Sequence, residues 1–221
     1  MDKKLHEEYL IYLENVTKKF KIRGEGEWKT SLLTAVDHVN FGIYPGETFG
    51  LVGESGCGKS TLAQTMLRLV EATEGAVYYQ GRDIYKMNAK ELQGIRREMQ
   101  IVFQDPYDSL DPRMTLEQTM LEPFEIHGVG TREERRKRIR ELFQMVGLPE
   151  TQLCRYPHQL SGGQRQRVSI ARSIALNPKL LVCDEAVSAL DVSIQAQVLN
   201  ILSDLKRDLG LTYLFVSHDL S

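Results

Sequence analysis

Residues 9–20 set β-branched and aromatic side chains among polar ones in partial alternation, and Ala35-Val36-Asp37-His38-Val39-Asn40-Phe41-Gly42-Ile43 alternates more regularly. Both patterns predict strands. Residues 21–31 between them are polar and contain glycine, which predicts a loop or hairpin tip. Tyr44-Pro45-Gly46-Glu47 predicts a turn, and residues 48–52 a short apolar strand that leads straight into Gly53. From Lys59 the spacing becomes helical, with Leu62, Met66, Leu69 and Val70 on one face. Residues 101–103 read as a brief buried strand ending at Gln104, residues 180–183 as another ending at Asp184, and residues 211–217 as a last strand that delivers His218.

The pattern changes over residues 105–158, which are rich in Pro, Met, Arg and Glu and carry no strand signal beyond their start. This segment predicts a helical insert in an α/β core. Within it, Thr131-Arg132-Glu133-Glu134 is a capping box, Ile139, Leu142, Phe143 and Val146 form the buried stripe, and Gly147 stands at the C-terminal end. The run Arg135-Arg136-Lys137-Arg138 predicts a solvated helix face. A further helix opens at Ser161-Gly162-Gly163, buries Val168, Ala171, Ile174 and Ala175, and stops before Pro178; another runs through Val198, Leu202 and Leu205 with Asp191 as its N-cap. Strands alternating with helices predict a mainly parallel sheet covered on both faces. Ligands of such sheets gather at strand C-termini, where Gly53, Gln104, Asp184 and His218 would meet.

With 221 residues, 42% hydrophobic and 26% charged, the chain can bury one sizeable core with a subdomain. Its net charge of −2 supplies no general basic field, so nucleic acid is not the expected partner. The apolar runs are too short to span a membrane, and Met1-Asp2-Lys3-Lys4 is not followed by an apolar signal core. Cys57, Cys154 and Cys183 are odd in number and widely spaced, which predicts reduced thiols in a cytosolic setting.

Gly53-Glu54-Ser55-Gly56-Cys57-Gly58-Lys59-Ser60 fits the phosphate-loop pattern G-x-x-x-x-G-K-[ST] at every fixed position, between a predicted strand and a predicted helix. Its glycines let backbone N–H groups turn around an anion, and the helix adds its positive end. Lys59 would bridge the β- and γ-phosphates of ATP, Ser60 would bind Mg²⁺ through its hydroxyl, and Thr61 would lie near the α-phosphate. At the end of the apolar strand 180–183, Asp184 would hold Mg²⁺ through water and Glu185 would polarise the attacking water. The amide of Gln104 would sense the metal or that water. Ser161-Gly162-Gly163 at a helix N-terminus is a second anion site.

With the phosphate loop upstream, Leu160-Ser161-Gly162-Gly163-Gln164 before a carboxylate-ended strand resembles the ATP-binding cassette (ABC) ATPases over essentially the whole chain. Residues 101–115, Tyr156-Pro157-His158, residues 188–197 and residues 211–220 resemble one subgroup, the ATP-binding subunits of bacterial oligopeptide, dipeptide and nickel importers. The resemblance implies a P-loop, RecA-like α/β core over about residues 9–105 and 159–221, with an antiparallel β subdomain and a helical subdomain over about 106–158. It implies ATP hydrolysis with Mg²⁺ held by Ser60, Gln104 and Asp184, and catalysis by Glu185, Gln104 and His218, the last touching the γ-phosphate. Phe20 takes the place of the aromatic that stacks on adenine, with an ordinary core-facing strand residue as the alternative; Tyr12 and Trp28 are weaker candidates. Asp191 matches the dimer-contact loop, and Ser161, Gly162, Gly163 and Gln164 of one protomer would close on the nucleotide held by another. The implied partners are a second ABC ATPase subunit, the same or different, membrane permease subunits and, indirectly, an external solute-binding protein. The implied place is the cytoplasmic face of the cell membrane. Two departures stand out: Ala186 replaces the proline common after the catalytic Glu, and the chain stops at Ser221, which reads as a C-terminal truncation. A fragment that binds nucleotide without turnover, or an ABC protein outside transport, are the competing readings.

Overall fold

The computed structural model describes residues 5–23, 30–105, 109–188 and 190–218. After the short helix α1 (Leu5–Glu8), the long strands β1 (Ile11–Arg23) and β2 (Thr30–Ile43) pair antiparallel from Ile11↔Ile43 to Arg23↔Thr30. Both strands run further into the 21–31 insert than the polarity of that insert predicts, because their cross-strand pairing continues through Lys21↔Leu32 and Ile22↔Ser31. Trp28 lies outside the described residues. β1 also pairs antiparallel with β4 (Glu74–Tyr79), and β4 with the two-residue β5 (Arg82–Asp83), giving the order β2-β1-β4-β5.

Register shifts interrupt β1 between Leu13 and Lys19. At the first of them Asn15 takes a positive φ of 48°, its backbone N–H donates to Asn40 Oδ1 at 2.8 Å, and Asn40 Nδ2 donates to Asn15 Oδ1 at 3.0 Å. The bulge thus has its own polar partner. β3 (Thr48–Val52) leads to the phosphate loop and to α2 (Lys59–Met66), which packs on β1 and β2. Ile11, Leu13, Val16, Ile43, Met66 and Val77 are fully buried at the centre of this part of the chain. The helix ends at Met66, short of the predicted stripe: Arg68 turns to φ 50° and Leu69 is 48% exposed.

α3 (Ala89–Glu98) precedes β6 (Met99–Val102), which pairs parallel with β7 (Leu180–Asp184) from Met99↔Leu180 to Val102↔Cys183. β8 (Thr212–Ser217) lies on the other side of β7. All five residues of β7 are buried, as a central parallel strand covered on both faces requires. Between β6 and β7 come α4 (Leu116–Ile126), α5 (Arg132–Met145) and α6 (Gly162–Ser173); α7 (Val192–Leu209) joins β7 to β8. Both α4 and α5 open on complete capping boxes, at Thr115 with Gln118 and at Thr131 with Glu134. Gly147 follows α5 at φ 67°, and Ile139, Leu142, Phe143 and Val146 are buried as the spacing predicts. One apolar cluster includes these four residues with Met120, Val168, Leu181, Leu202 and Tyr213.

The chain divides into two compact units, one of Met1–Arg96 with Val216–Ser221 and one of Arg97–Phe215. The first holds the antiparallel sheet and the phosphate loop; the second holds the β6–β7 pair and helices α4 to α7.

Candidate active-site segments

In the first unit, the turn from β3 to α2 is built by two glycines with positive φ, Gly56 at 78° and Gly58 at 96°. Gly58 is the N-cap of α2, and a Cβ there would collide with the carbonyl oxygen of Ala35 in β2. Only a hydrogen fits at that point, so the loop is drawn tight against the sheet. Lys59 is the first helical residue and is 7% exposed. Its ammonium donates to the carbonyl oxygens of Gly53 at 2.7 Å and Glu54 at 2.8 Å, and lies 4.0 Å from Cys57 Sγ. The positive charge is therefore held within the loop, next to the first turn of α2 that carries Ser60 and Thr61. The N-cap Gly58 has no side chain to cap that turn. Ser55, Gly56 and Cys57 are exposed.

Phe20 is exposed, at 38%, and pairs across the strands with Leu33; the ammonium of Lys18 sits 4.9 Å from its ring centroid. The core-facing alternative for Phe20 fails on this exposure. Tyr12 is half-buried with its ring stacked on Tyr9 at 5.4 Å. His218 follows β8, is exposed and belongs to the same unit as the loop.

In the second unit, β7 ends in Asp184, which is 5% exposed. The preceding Cys183 is fully buried, and burial pushes its thiol pKa well up, so it stays neutral and behaves as core. Glu185 then takes φ 48°, a left-handed conformation that costs a residue with a Cβ about 1–3 kcal/mol. Its carbonyl oxygen accepts two hydrogen bonds from one residue, Ser188 N at 3.0 Å and Ser188 Oγ at 2.9 Å. Gln104, exposed after β6, donates its Nε2 to Ser188 Oγ at 3.2 Å. Gln104 and Glu185 are thus brought together through Ser188, to which the sequence pattern assigns no role. Asp191 stands at the N-cap of α7 as expected, yet among the described residues its side chain makes no cap; its carbonyl accepts from Ile194 N and Gln195 N, both at 2.9 Å.

Ser161 caps α6: its Oγ accepts from Gln164 N at 3.3 Å, and Gln164 Oε1 accepts from Ser161 N at 3.1 Å. This reciprocal box is legible in the S-x-x-Q spacing and gives Gln164 a structural duty. A Cβ on Gly163 would lie 2.5 Å from Ile194 Cγ2, and one on Gly162 would lie 3.8 Å from Leu190 Cδ2. The second glycine of the pair therefore also serves close packing of α6 on α7.

A family model described as ABC transporter matches residues 36–188, more than half of the chain. The chain belongs to the ABC transporter family. The match takes in the phosphate loop, Gln104, Ser161 to Gln164, Asp184 and Glu185; Phe20, Asp191 and His218 lie outside it. Among ABC transporter relatives, the oligopeptide transport ATP-binding protein AppF of Bacillus subtilis is 50% identical over 218 residues, covering 98% of this chain and 66% of AppF. The glutathione import ATP-binding protein GsiA of Pectobacterium atrosepticum is 48% identical over 217 residues, covering 98% of this chain and 35% of GsiA. The chain thus spans about two thirds of one curated relative and about one third of the other. A dimeric structure of the ATP-binding cassette MJ0796, in a post-hydrolysis state bound to ADP and Pi, matches with a TM-score of 0.82 and 37% identity, covering 95% of this chain and 88% of that one. The fold is that of an ABC cassette, with a parallel pair in one sheet and a separate antiparallel sheet. No helix among the described residues of this ABC transporter chain is long and apolar enough to cross a membrane.

Proposed function

We propose that this chain is the ATP-binding and ATP-hydrolysing part of an importer for peptides or similar small solutes, at the cytoplasmic face of the cell membrane. The observation that carries the reading is the phosphate loop itself: a buried lysine whose ammonium is held by Gly53 and Glu54 at the start of α2, in a chain of the ABC transporter family. The oligopeptide and glutathione import relatives support the solute class. The ATP-binding core covers about residues 9–105 and 159–221, and the helical subdomain about 106–158.

Lys59 exchanges its loop carbonyls for phosphate oxygens, while the N–H groups of Gly56 to Ser60 and the first turn of α2 bind the same anion. Phe20, exposed on β1, offers its ring face to adenine. The oxygens of Ser60, Gln104 and Asp184 are hard donors of different charge, which suits a cation that keeps several waters and needs few carboxylates. Mg²⁺ held by these residues would supply charge neutralisation on the phosphates. Glu185 accepts a proton from the attacking water, a role worth roughly 10²–10⁴-fold, and His218 donates to the γ-phosphate. Ser161 to Gln164 and Asp191 complete the site of a partner cassette, in a homodimer or heterodimer; the dimeric MJ0796 cassette supports this arrangement. Membrane permease subunits, with an external solute-binding protein beyond them, receive the resulting closure; nucleic acid has no part.

Mg·ATP hydrolysis measured across protein concentrations tests the reading. Turnover per molecule should rise with concentration, or on mixing with a partner cassette. Lys59→Ala should lose nucleotide affinity, and Glu185→Gln should keep affinity while losing turnover by roughly 10²-fold or more. Full turnover by Glu185→Gln, or unchanged affinity in Lys59→Ala, would overturn the assigned roles.

A further inference from the structure

We infer that Ser188 is a positioning residue that ties the side chain of Gln104 to the backbone of Glu185 and decides which end of the Gln104 amide is available to the reaction. The inference rests on the roles proposed above for Gln104 and Glu185. A serine hydroxyl has one hydrogen and two lone pairs. At Ser188 the hydrogen goes to the Glu185 carbonyl oxygen, 2.9 Å away. Gln104 must then meet the hydroxyl as a donor, and it does so with Nε2 at 3.2 Å. The amide is thereby fixed with its nitrogen on Ser188, and Oε1 becomes the end left for a cation or a water. An alanine at this position could make neither bond.

The same serine restrains Glu185. Its N–H, at 3.0 Å, and its hydroxyl converge on the one carbonyl, closing a turn from Glu185 to Ser188. Glu185 carries a Cβ and sits at φ 48°, so its backbone has a lower-energy conformation to which it relaxes when the turn loosens. Withdrawal of Gln104 from Ser188 removes an acceptor load that polarises the hydroxyl toward Glu185, and weakens the second bond. Whatever occupies Gln104 is therefore felt at the backbone that aims the Glu185 carboxylate, through two hydrogen bonds.

The test combines exchange and kinetics. In Gln104→Ala, hydrogen exchange of the Ser188 amide, measured without nucleotide, should speed up on the order of tenfold, the size of a modest coupling energy between contacting residues. Gln104 is exposed, so this variant should fold. In steady state, Ser188→Ala should lower kcat on the order of tenfold with KM for ATP nearly unchanged, Ser188→Thr should restore kcat, and Gln104→Ala with Ser188→Ala should cost less than the two effects multiplied. Unchanged exchange in Gln104→Ala, or multiplying kinetic effects, would overturn the relay. An unmutated chain without turnover in any mixture would count against the proposed function, while the exchange result would still decide the relay.

Discussion

Replacing Gly58 with alanine separates two costs that the phosphate loop combines. Both Gly56 and Gly58 have positive φ, 78° and 96°, so either Gly→Ala change places a Cβ residue in the left-handed region. That costs about 1–2 kcal/mol, offset by about 0.4–1 kcal/mol from the stiffer unfolded chain. A Cβ on Gly56 meets nothing within 4 Å, so Gly56→Ala should cost no more than about 1.6 kcal/mol. A Cβ on Gly58 runs into the carbonyl of Ala35. That carbonyl cannot retreat cheaply, because its neighbours Thr34 and Val36 are paired with Lys19 and Lys18 of β1. The loop must move instead, an overpacking penalty of about 1–3 kcal/mol. Gly58→Ala should therefore be less stable than Gly56→Ala by about 1–3 kcal/mol, read as the difference in urea midpoints at equal slope. ATP affinity should also fall in Gly58→Ala, since the displaced turn carries Lys59. Equal stabilities for the two variants would refute the collision with Ala35.

Two further outcomes follow from the helices. Gly163→Ala should gain up to about 1 kcal/mol of helix propensity yet lose about 1–3 kcal/mol against the stiff, β-branched Ile194, for a net destabilisation of about 1 kcal/mol; a more stable variant in urea would show that α6 and α7 do not pack as described. The Glu134 carboxyl is held below its ordinary pKa by the Thr131 backbone N–H and then by the Thr131 hydroxyl, so the stabilisation is complete above the ordinary value of 4.5 and is lost as pH falls through the lowered one. Thr131→Val should raise the Glu134 midpoint in a carboxyl NMR titration, and an unmoved midpoint would contradict the hydroxyl's share.

What could be read in advance was whatever depends on near neighbours in sequence. Thr131 and Glu134, Ser161 and Gln164, and Gly147 after its helix act within three or four residues, and their chemistry is written in the spacing. The phosphate loop is legible for the same reason. The early end of α2 is not, because the apolar period continues through Leu69 while Arg68 turns the backbone to φ 50°. In the 71–98 stretch, α3 is legible in the Asn88-x-x-Glu91 spacing, whose two side chains cap its start, and in Leu92 and Ile95 on its buried face, whereas β4 is fixed by pairing Val77 with Leu13, far away in sequence. β1 loses its alternation at the Asn15 bulge, whose partner Asn40 is on another strand. Exposure of Phe20, contact of Gly163 with Ile194, and the reach of Ser188 to Gln104 are likewise non-local. The candidate site residues are marked by motif; Ser188, which hydrogen-bonds to two of them, is not, since a serine in a turn has no distinguishing pattern.

The parallel pairing of β6 with β7 has a consequence for biosynthesis. Met99 emerges from the ribosome about 80 residues before its partner Leu180, which at about 5–20 residues per second is an interval of roughly 4–16 s. The capping boxes of α4, α5 and α6 can nucleate helices within that interval, whereas β6 must wait for the chain to return. The edge of β6 on which β7 will add is an unpaired template during that time. The pace of translation, which appears nowhere in the finished contacts, therefore sets how long the nascent chain offers that edge to other strands.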